Sequence, residues 1–159
     1  MYGVGCTVIA LLLCGCEGTT FRSSVPRARV DISVNLKSAP FVPLYENPGA
    51  YLTVTEKGYY VNGKYVQAAA ERDYWGFGGV VLCVNAWGNY DAYDLTCPNC
   101  YGTMGVFSRC ETDGTSATCS HCGEEYNLFD GTAFPRNGSK EALLRLTVLH
   151  SGDVLYIRQ

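Results

Sequence analysis

Two cysteine pairs with the same spacing constrain this chain more than any other feature. Cys97-Pro98-Asn99-Cys100 and Cys119-Ser120-His121-Cys122 are both C-x2-C turns, and eighteen residues separate them. A C-x2-C turn presents two thiolates to one ion, and its backbone N–H groups offset the charge on the sulfurs. The four thiols of Cys97, Cys100, Cys119 and Cys122 therefore predict a tetrahedral sulfur site for zinc, a single iron or an iron–sulfur cluster.

The N-terminal segment predicts export and lipid attachment. Val4 to Leu13 is an apolar run that is too short to span a bilayer and has the length of a signal-peptide core. It ends in Leu13-Cys14-Gly15-Cys16, where a small residue precedes a cysteine, as in a bacterial lipobox. No Lys or Arg precedes the run. We expect residues 1–15 to be a signal peptide and Cys16 to carry the lipid that anchors the protein to a membrane of the cell envelope, on the periplasmic side or at the cell surface.

Export makes disulfides an alternative to metal, because exported proteins meet an oxidising compartment. The two C-x2-C turns could form two disulfides, or one disulfide between the turns and two free thiols. The paired spacing, with Pro98 in the first turn and Gly123 after the second, favours metal. Cys83 lies in an apolar run and Cys110 lies between the turns. These two either form a disulfide that braces the site or are separate buried thiols.

The pattern of the mature chain predicts short strands. The chain contains 12 Tyr and is 47% hydrophobic, which favours a globular β protein. Residues 16–29 are polar without a period and are expected to be a tether. Residues 30–159 are expected to form one all-β domain, a small sandwich or barrel, with a metal-binding subdomain made of the two cysteine loops. The predicted strands are Val30–Leu36, Tyr51–Thr55, Val80–Val84, Tyr90–Leu95, Val106–Phe107, Ala117–Thr118, Glu125–Leu128, Thr132–Phe134, Leu144–Val148 and Val154–Ile157. Asn62-Gly63 predicts a hairpin turn, and one or two helical turns are expected near residues 67–72.

The cysteine loops resemble those of the Rieske [2Fe–2S] domain family. Tyr93 to Pro98 resembles the segment that leads into the first cluster loop of a Rieske domain. Cys119 to Leu128 resembles the second loop, which runs Cys-x-x-His-Gly, two residues, an aromatic residue and an apolar residue. Phe129–Phe134, Arg136–Gly138 and the closing hairpin Leu144–Ile157 continue in the manner of that fold, so the resemblance covers about half of the chain. It implies a Rieske-like β fold and a role in electron transfer with a redox partner protein.

The ligand positions depart from this family. A Rieske centre takes one His from each loop, and the corresponding positions here hold Asn99 and Cys122. The four-cysteine set also resembles the knuckles of rubredoxins and zinc ribbons. His121 and Asn99 are expected beside the metal ligands rather than among them. Two extra thiolates would stabilise oxidised iron, so a [2Fe–2S] cluster here should have a potential well below that of Rieske centres.

Composition and motifs exclude several other functions. A net charge of −3 leaves no basic surface for nucleic acid. His121 and His150 are the only two histidines, and no carboxylate is paired with His150 by spacing, so we expect no enzyme active site and no small-molecule substrate. The aromatic stretch from residue 59 to residue 77 is expected to pack in the core or in hairpins, and the alternative is a platform that engages a sugar or a partner protein. Two functions remain: an envelope-anchored metal-binding or electron-transfer module, and an interaction protein whose zinc or disulfides only hold the fold together.

Overall fold

The computed structural model describes residues 22–159, which form thirteen β-strands and two short helical turns. The strands are β1 (Val30–Asn35), β2 (Tyr51–Thr55), β3 (Gly58–Val61), β4 (Lys64–Gln67), β5 (Tyr74–Trp75), β6 (Val80–Val84), β7 (Tyr90–Asp94), β8 (Glu111–Thr112), β9 (Ser116–Thr118), β10 (Glu125–Asn127), β11 (Phe134–Pro135), β12 (Arg145–Ser151) and β13 (Val154–Arg158). A 3-10 turn covers Val42–Leu44, and a single π-helical turn covers Cys100–Met104. The predicted all-β class is therefore confirmed.

The strands form two sheets. Nine strands form a large curled sheet in the order β4-β3-β2-β6-β7-β12-β13-β1-β5, and four form a small sheet in the order β11-β10-β9-β8. The strand pairs within both sheets are antiparallel. For the pairs joined directly by a short turn, such as β6 and β7, this direction is the one that a hairpin requires. Asn62 and Gly63 both have positive φ in the tight turn between β3 and β4, as the Asn-Gly signal predicted.

Strand β6 separates two hydrophobic cores. Its five residues are all buried, because side chains along a strand point alternately to opposite faces and both faces of this strand are covered. Val80, Leu82 and Val84 contact the larger core, which includes residues of β1, β2 and β13. Val81 and Cys83 contact the second core, which contains Tyr93 of β7, Tyr126 of β10 and most of the cysteine cluster. The two cysteine loops are thus packed directly on the main sheet.

The small sheet and its loops correspond to the metal-binding subdomain expected from the sequence. Residues Glu125 to Asn127 of β10 pair with Thr118 to Ser116 of β9, which places the second cysteine loop at the end of this hairpin. The first loop closes nearby, where Thr96 and Arg109 form an isolated bridge. Cys97 N–H donates to the Ser108 carbonyl and Cys110 N–H donates to the Leu95 carbonyl. The two loops therefore leave the sheets side by side.

Two local predictions were wrong. Residues 67–72 form the end of β4 and a turn instead of a helix, and the helical turn lies in the first cysteine loop. Val106 and Phe107 are exposed loop residues instead of a strand, because the hairpin at this point begins at β8. Apolar character predicted a strand here, but these side chains point away from both cores.

The N-terminal predictions lie largely outside the described residues. The signal peptide, the lipobox and the lipidation site Cys16 all fall within residues 1–21. The last part of the expected tether is described, and it contacts the domain. Val25 is buried, and Ser24 donates through Oγ to the Pro98 carbonyl of the first cysteine loop. From residue 22 onward, no helix is both long and apolar enough to cross a membrane.

Candidate metal centre

The four thiols singled out by their spacing lie together in the structure. The Sγ atoms of Cys97, Cys100, Cys119 and Cys122 are all within 4.8 Å of one another. The sulfurs of Cys97 and Cys122 are 3.6 Å apart, and so are those of Cys100 and Cys119. A tetrahedral ion with metal–sulfur bonds of about 2.3 Å requires sulfurs about 3.8 Å apart. The set therefore forms a site that could hold a metal ion.

The site is largely closed to solvent. Cys97, Cys100 and Cys119 are fully buried, and Cys122 is half-buried at the surface. Four sulfur ligands complete the coordination of a tetrahedral ion and leave no position for water or substrate. Such a site has the form of a structural or electron-transfer centre rather than of a hydrolytic one.

Backbone N–H groups of the two loops point at the sulfurs, as C-x2-C turns were expected to do. The Cys100 N–H donates to the Cys97 sulfur, and the Glu124 N–H donates to the Cys122 sulfur. In the second loop Gly123 adopts φ of +74° and donates its N–H to the Cys119 carbonyl. A side chain is disfavoured at positive φ, which explains the glycine after the second cysteine pair.

Hydroxyl and amide side chains of neighbouring residues contact the thiols. Tyr126 places its hydroxyl 3.4 Å from the Cys97 sulfur, and Ser108 places its hydroxyl 3.2 Å from the Cys119 sulfur. The Asn99 side chain hydrogen-bonds to Cys122. Groups of this kind orient metal ligands and tune their basicity. Asn99 therefore lies beside the ligands, whereas His121 is exposed and lies outside the group of four thiols.

The thiols differ in how readily they ionise. Hydrogen bonds from Cys110, Tyr126 and the Cys100 N–H lower the pKa of Cys97 to about 4 against the opposing effect of burial, with the bond from Cys110 contributing most. Burial raises the pKa of Cys100 and of Cys122. The Cys97 thiolate is therefore stabilised by its neighbours, whereas burial favours the protonated forms of Cys100 and Cys122 until a cation neutralises the set.

Cys83 and Cys110 are free buried thiols in different surroundings, which corresponds to the second of the two alternatives considered for them. Cys110 hydrogen-bonds to Cys97, so it belongs to the surroundings of the metal site. Cys83 lies on β6 and donates to the Asp91 carbonyl. Burial, followed by the charge of Asp91, raises the pKa of Cys83 to about 12.

Asp94 holds the approach to the first loop. Its carboxylate is 1% exposed and accepts hydrogen bonds from the N–H groups of Phe77, Gly78 and Thr96 and from the Thr96 hydroxyl. A Cβ on Gly78 would lie 2.1 Å from the Thr96 hydroxyl, so only glycine fits this close approach. Asp94 therefore fixes Thr96, the residue that precedes Cys97, against Phe77 and Gly78 in the loop before β6.

Glu124 has the same role beside the second loop. It is 4% exposed, and its carboxylate accepts hydrogen bonds from the N–H groups of Asn137 and Ser139. The Asn137 side chain in turn donates to the Gly123 carbonyl. Sequence reasoning did not single out Glu124, Asp94 or Ser108. Tyr126, by contrast, could be found from the sequence, because it occupies the aromatic position of the second loop pattern.

Comparison with known proteins leaves the family of this chain open. No protein-family model matches the chain, and no curated protein matches its sequence. A solved structure of the quaternary ammonium Rieske monooxygenase CntA in complex with an inhibitor is similar, with a TM-score of 0.47 and 13% identity. The match covers 82% of this chain and 31% of that monooxygenase chain. At this score and identity the likeness assigns neither a family nor a function to this chain.

Proposed function

We propose that this protein is a lipid-anchored envelope protein whose β domain binds one metal ion through Cys97, Cys100, Cys119 and Cys122. The observation that carries the proposal is the packing of four sulfurs within 4.8 Å of one another. Packing alone does not explain a buried group of thiols this compact, because smaller apolar side chains could fill the same space. The group does match the ligand set of zinc.

The sulfur distances favour a single ion over a [2Fe–2S] cluster. In such a cluster two tetrahedral irons share an edge formed by the sulfides. With metal–sulfur bonds of about 2.3 Å, this geometry separates the ligand pairs by about 5.3 Å at the nearest and about 6.5 Å at the farthest sulfurs. All six sulfur–sulfur distances here are 4.8 Å or less. The cluster implied by the Rieske resemblance would require the loops to move apart.

Zinc is the ion best suited to the site. Zinc has no redox chemistry, and four thiolates satisfy its coordination, so its contribution would be to hold the two loops and the small sheet on β6 and β7. In this proposal the protein is a binding module and not an enzyme, because the closed site leaves no position for a substrate.

A single iron with an electron-transfer role is the second candidate. The observation that favours it is the half-buried Cys122, which brings one ligand to the surface beside the Cys97 sulfur 3.6 Å away. A partner protein docked on the second loop would reach the ion through this ligand. Iron in four thiolates is coloured, whereas zinc is colourless, so the two candidates are distinguished by eye.

Metal analysis of the purified full chain tests the proposal. We expect one metal ion per chain and no acid-labile sulfide, with the ion lost in a Cys119→Ser variant and retained in the control Cys83→Ser. Cobalt(II) should replace the ion and show the visible bands of a tetrahedral thiolate complex. Two irons with sulfide would refute the single-ion site, and a metal-free chain with oxidised thiols would refute metal binding altogether.

The lipid anchor needs a separate test. The mass of the mature chain should exceed that of a chain beginning at Cys16 by the mass of the attached acyl groups, and a Cys16→Ser variant should lose this difference. A mature chain that still contains residues 1–15, or that begins elsewhere, would refute the anchor without affecting the metal site.

A further inference from the structure

An exposed apolar patch covers the first cysteine loop. It consists of Phe77, Tyr101, Met104, Val106 and Phe107. The Phe77 ring meets the rings of Tyr101 and Phe107 edge to face, with centroids 5.5 and 5.7 Å away. Phe107 is 49% exposed and Met104 is 45% exposed. Large apolar side chains grouped in this way at a surface mark a site of contact with another apolar phase or molecule.

The two segments that carry the patch contain no charged residue. Residues 97–108 include no Asp, Glu, Lys or Arg, and residues 74–90 include none either. Charged side chains oppose contact with lipid because they lose their hydration there. Covering this face with an apolar phase would therefore remove apolar side chains from water without burying a charged group from either segment.

The chain enters the described structure next to this patch. Ser24 donates through Oγ to the Pro98 carbonyl, and its N–H donates to Glu141 at 2.6 Å. A Cβ on Gly102, the residue after Tyr101, would lie 2.4 Å from the Ser24 hydroxyl. The N-terminal segment is thus fixed against the same loop that carries the patch.

The length of the preceding segment limits how far this face can lie from an anchor. Seven residues separate Cys16 from Ser24, so even a fully extended chain spans about 28 Å between them. A lipid on Cys16 would therefore keep the first cysteine loop close to the bilayer surface. This raises the effective concentration of the patch at the membrane. A second weak contact can then form without a further large loss of translational freedom.

We propose that the apolar patch inserts into the interfacial region of the bilayer that holds the lipid on Cys16, so that the first cysteine loop faces the membrane. This inference rests on the proposed lipid anchor and adds a defined orientation to it. Tyrosine side chains such as Tyr101 favour the boundary between headgroups and acyl chains, and a contact made by the domain itself fixes its orientation, which the acyl groups on Cys16 alone do not. The patch supplies that contact, and the second loop with Cys122 lies beside it.

Quenching by brominated lipid tests this orientation. The full-length chain would be lipidated in a bacterial host and reconstituted into phosphatidylcholine vesicles with brominated acyl chains. Tryptophan would be introduced as Phe107→Trp or Met104→Trp within the patch, and as Leu149→Trp on β12, which is 55% exposed and serves as the control. After subtraction of the parent signal, we expect several-fold stronger quenching for both patch variants than for the control.

The outcomes separate this inference from the proposed function. Mass and metal content are measured on the same samples. A chain without lipid on Cys16 would refute the anchor and this inference together. A lipidated, metal-loaded chain in which neither patch variant is quenched would overturn the inference alone. Patch variants shielded from aqueous acrylamide but not quenched by brominated lipid would show that protein covers the patch, which also overturns it.

Discussion

The buried carboxylate of Asp94 gives the sharpest test of how the first cysteine loop is held. Four donor groups from Phe77, Gly78 and Thr96 converge on its two oxygens. In an Asp94→Asn variant the amide oxygen can keep the two Thr96 donors and Gly78, which all reach Oδ1. The amide nitrogen then replaces Oδ2 and faces the Phe77 N–H, which is 2.7 Å from Oδ2 in the structure.

The expected loss follows from these contacts. A hydrogen bond to a charged acceptor contributes about 1.5–3 kcal/mol, and an unpaired buried donor costs about 1–3 kcal/mol, with the two effects partly overlapping. We expect the substitution to lower the free energy of unfolding by about 2–4 kcal/mol. Because Thr96 precedes Cys97, metal affinity should also fall by about tenfold or more, as for other groups that orient metal ligands.

Urea unfolding of metal-loaded protein, followed by circular dichroism, measures the first effect, and competition with a chromophoric chelator measures the second. The matched control is Asp153→Asn, which removes an exposed ion pair with Lys37 and should change the stability by less than about 1 kcal/mol. Equal stability losses in the two variants, or unchanged metal affinity in Asp94→Asn, would refute the role assigned to Asp94.

Three further predictions concern the thiols and their surroundings. Tyr126→Phe removes the hydroxyl that contacts the Cys97 sulfur and should weaken metal binding by about tenfold in the chelator competition; affinity equal to that of the parent would contradict this. Cys83 has a pKa raised to about 12, so its neutral form adds stability that is fully present below the ordinary pKa of 9.0 and is lost as the pH rises toward 12. Iodoacetamide at pH 8 should therefore alkylate Cys83 only after unfolding, and rapid labelling of the folded protein would be inconsistent with its burial. Removal of the ion by a chelator should raise amide hydrogen exchange in residues 97–108 and 119–124 but leave β13 protected, and a uniform rise across the chain would show that the ion holds the whole domain rather than these loops.

Local sequence patterns predicted the elements whose conformation depends mainly on residues close together in the chain. The apolar run Val80–Val84 and the alternating strand that begins at Val30 appear where the period of side-chain burial placed them. The Asn62-Gly63 turn formed because both residues tolerate positive φ. The C-x2-C spacing predicted the four-thiol group because each turn has a fixed local geometry that brings two thiols together. The group forms when the two turns lie side by side.

Residues far apart in the sequence could not be matched in this way. Cys110 and Ser108 reach the thiols because the bridge between Thr96 and Arg109 closes the first loop on itself. The order of the nine-stranded sheet, in which β12 pairs with β7, places Leu146 opposite Ala92, and no periodicity encodes such a pairing. The apolar residues Val106 and Phe107 predict a strand in loop 97–108, although tertiary packing leaves both side chains at the surface.

The sequence by itself determined the β class, the candidate ligand set and the absence of charged residues from positions 97–108, because each depends on residue types and on spacing along the chain. Only the tertiary structure decided that the four sulfurs approach within 4.8 Å, that Asp94 and Tyr126 support them, and that five apolar side chains cover the first loop next to Ser24. Distances between loops depend on how β9, β10 and the main sheet pack. That packing is a collective property of both hydrophobic cores, and no single segment of the chain contains it.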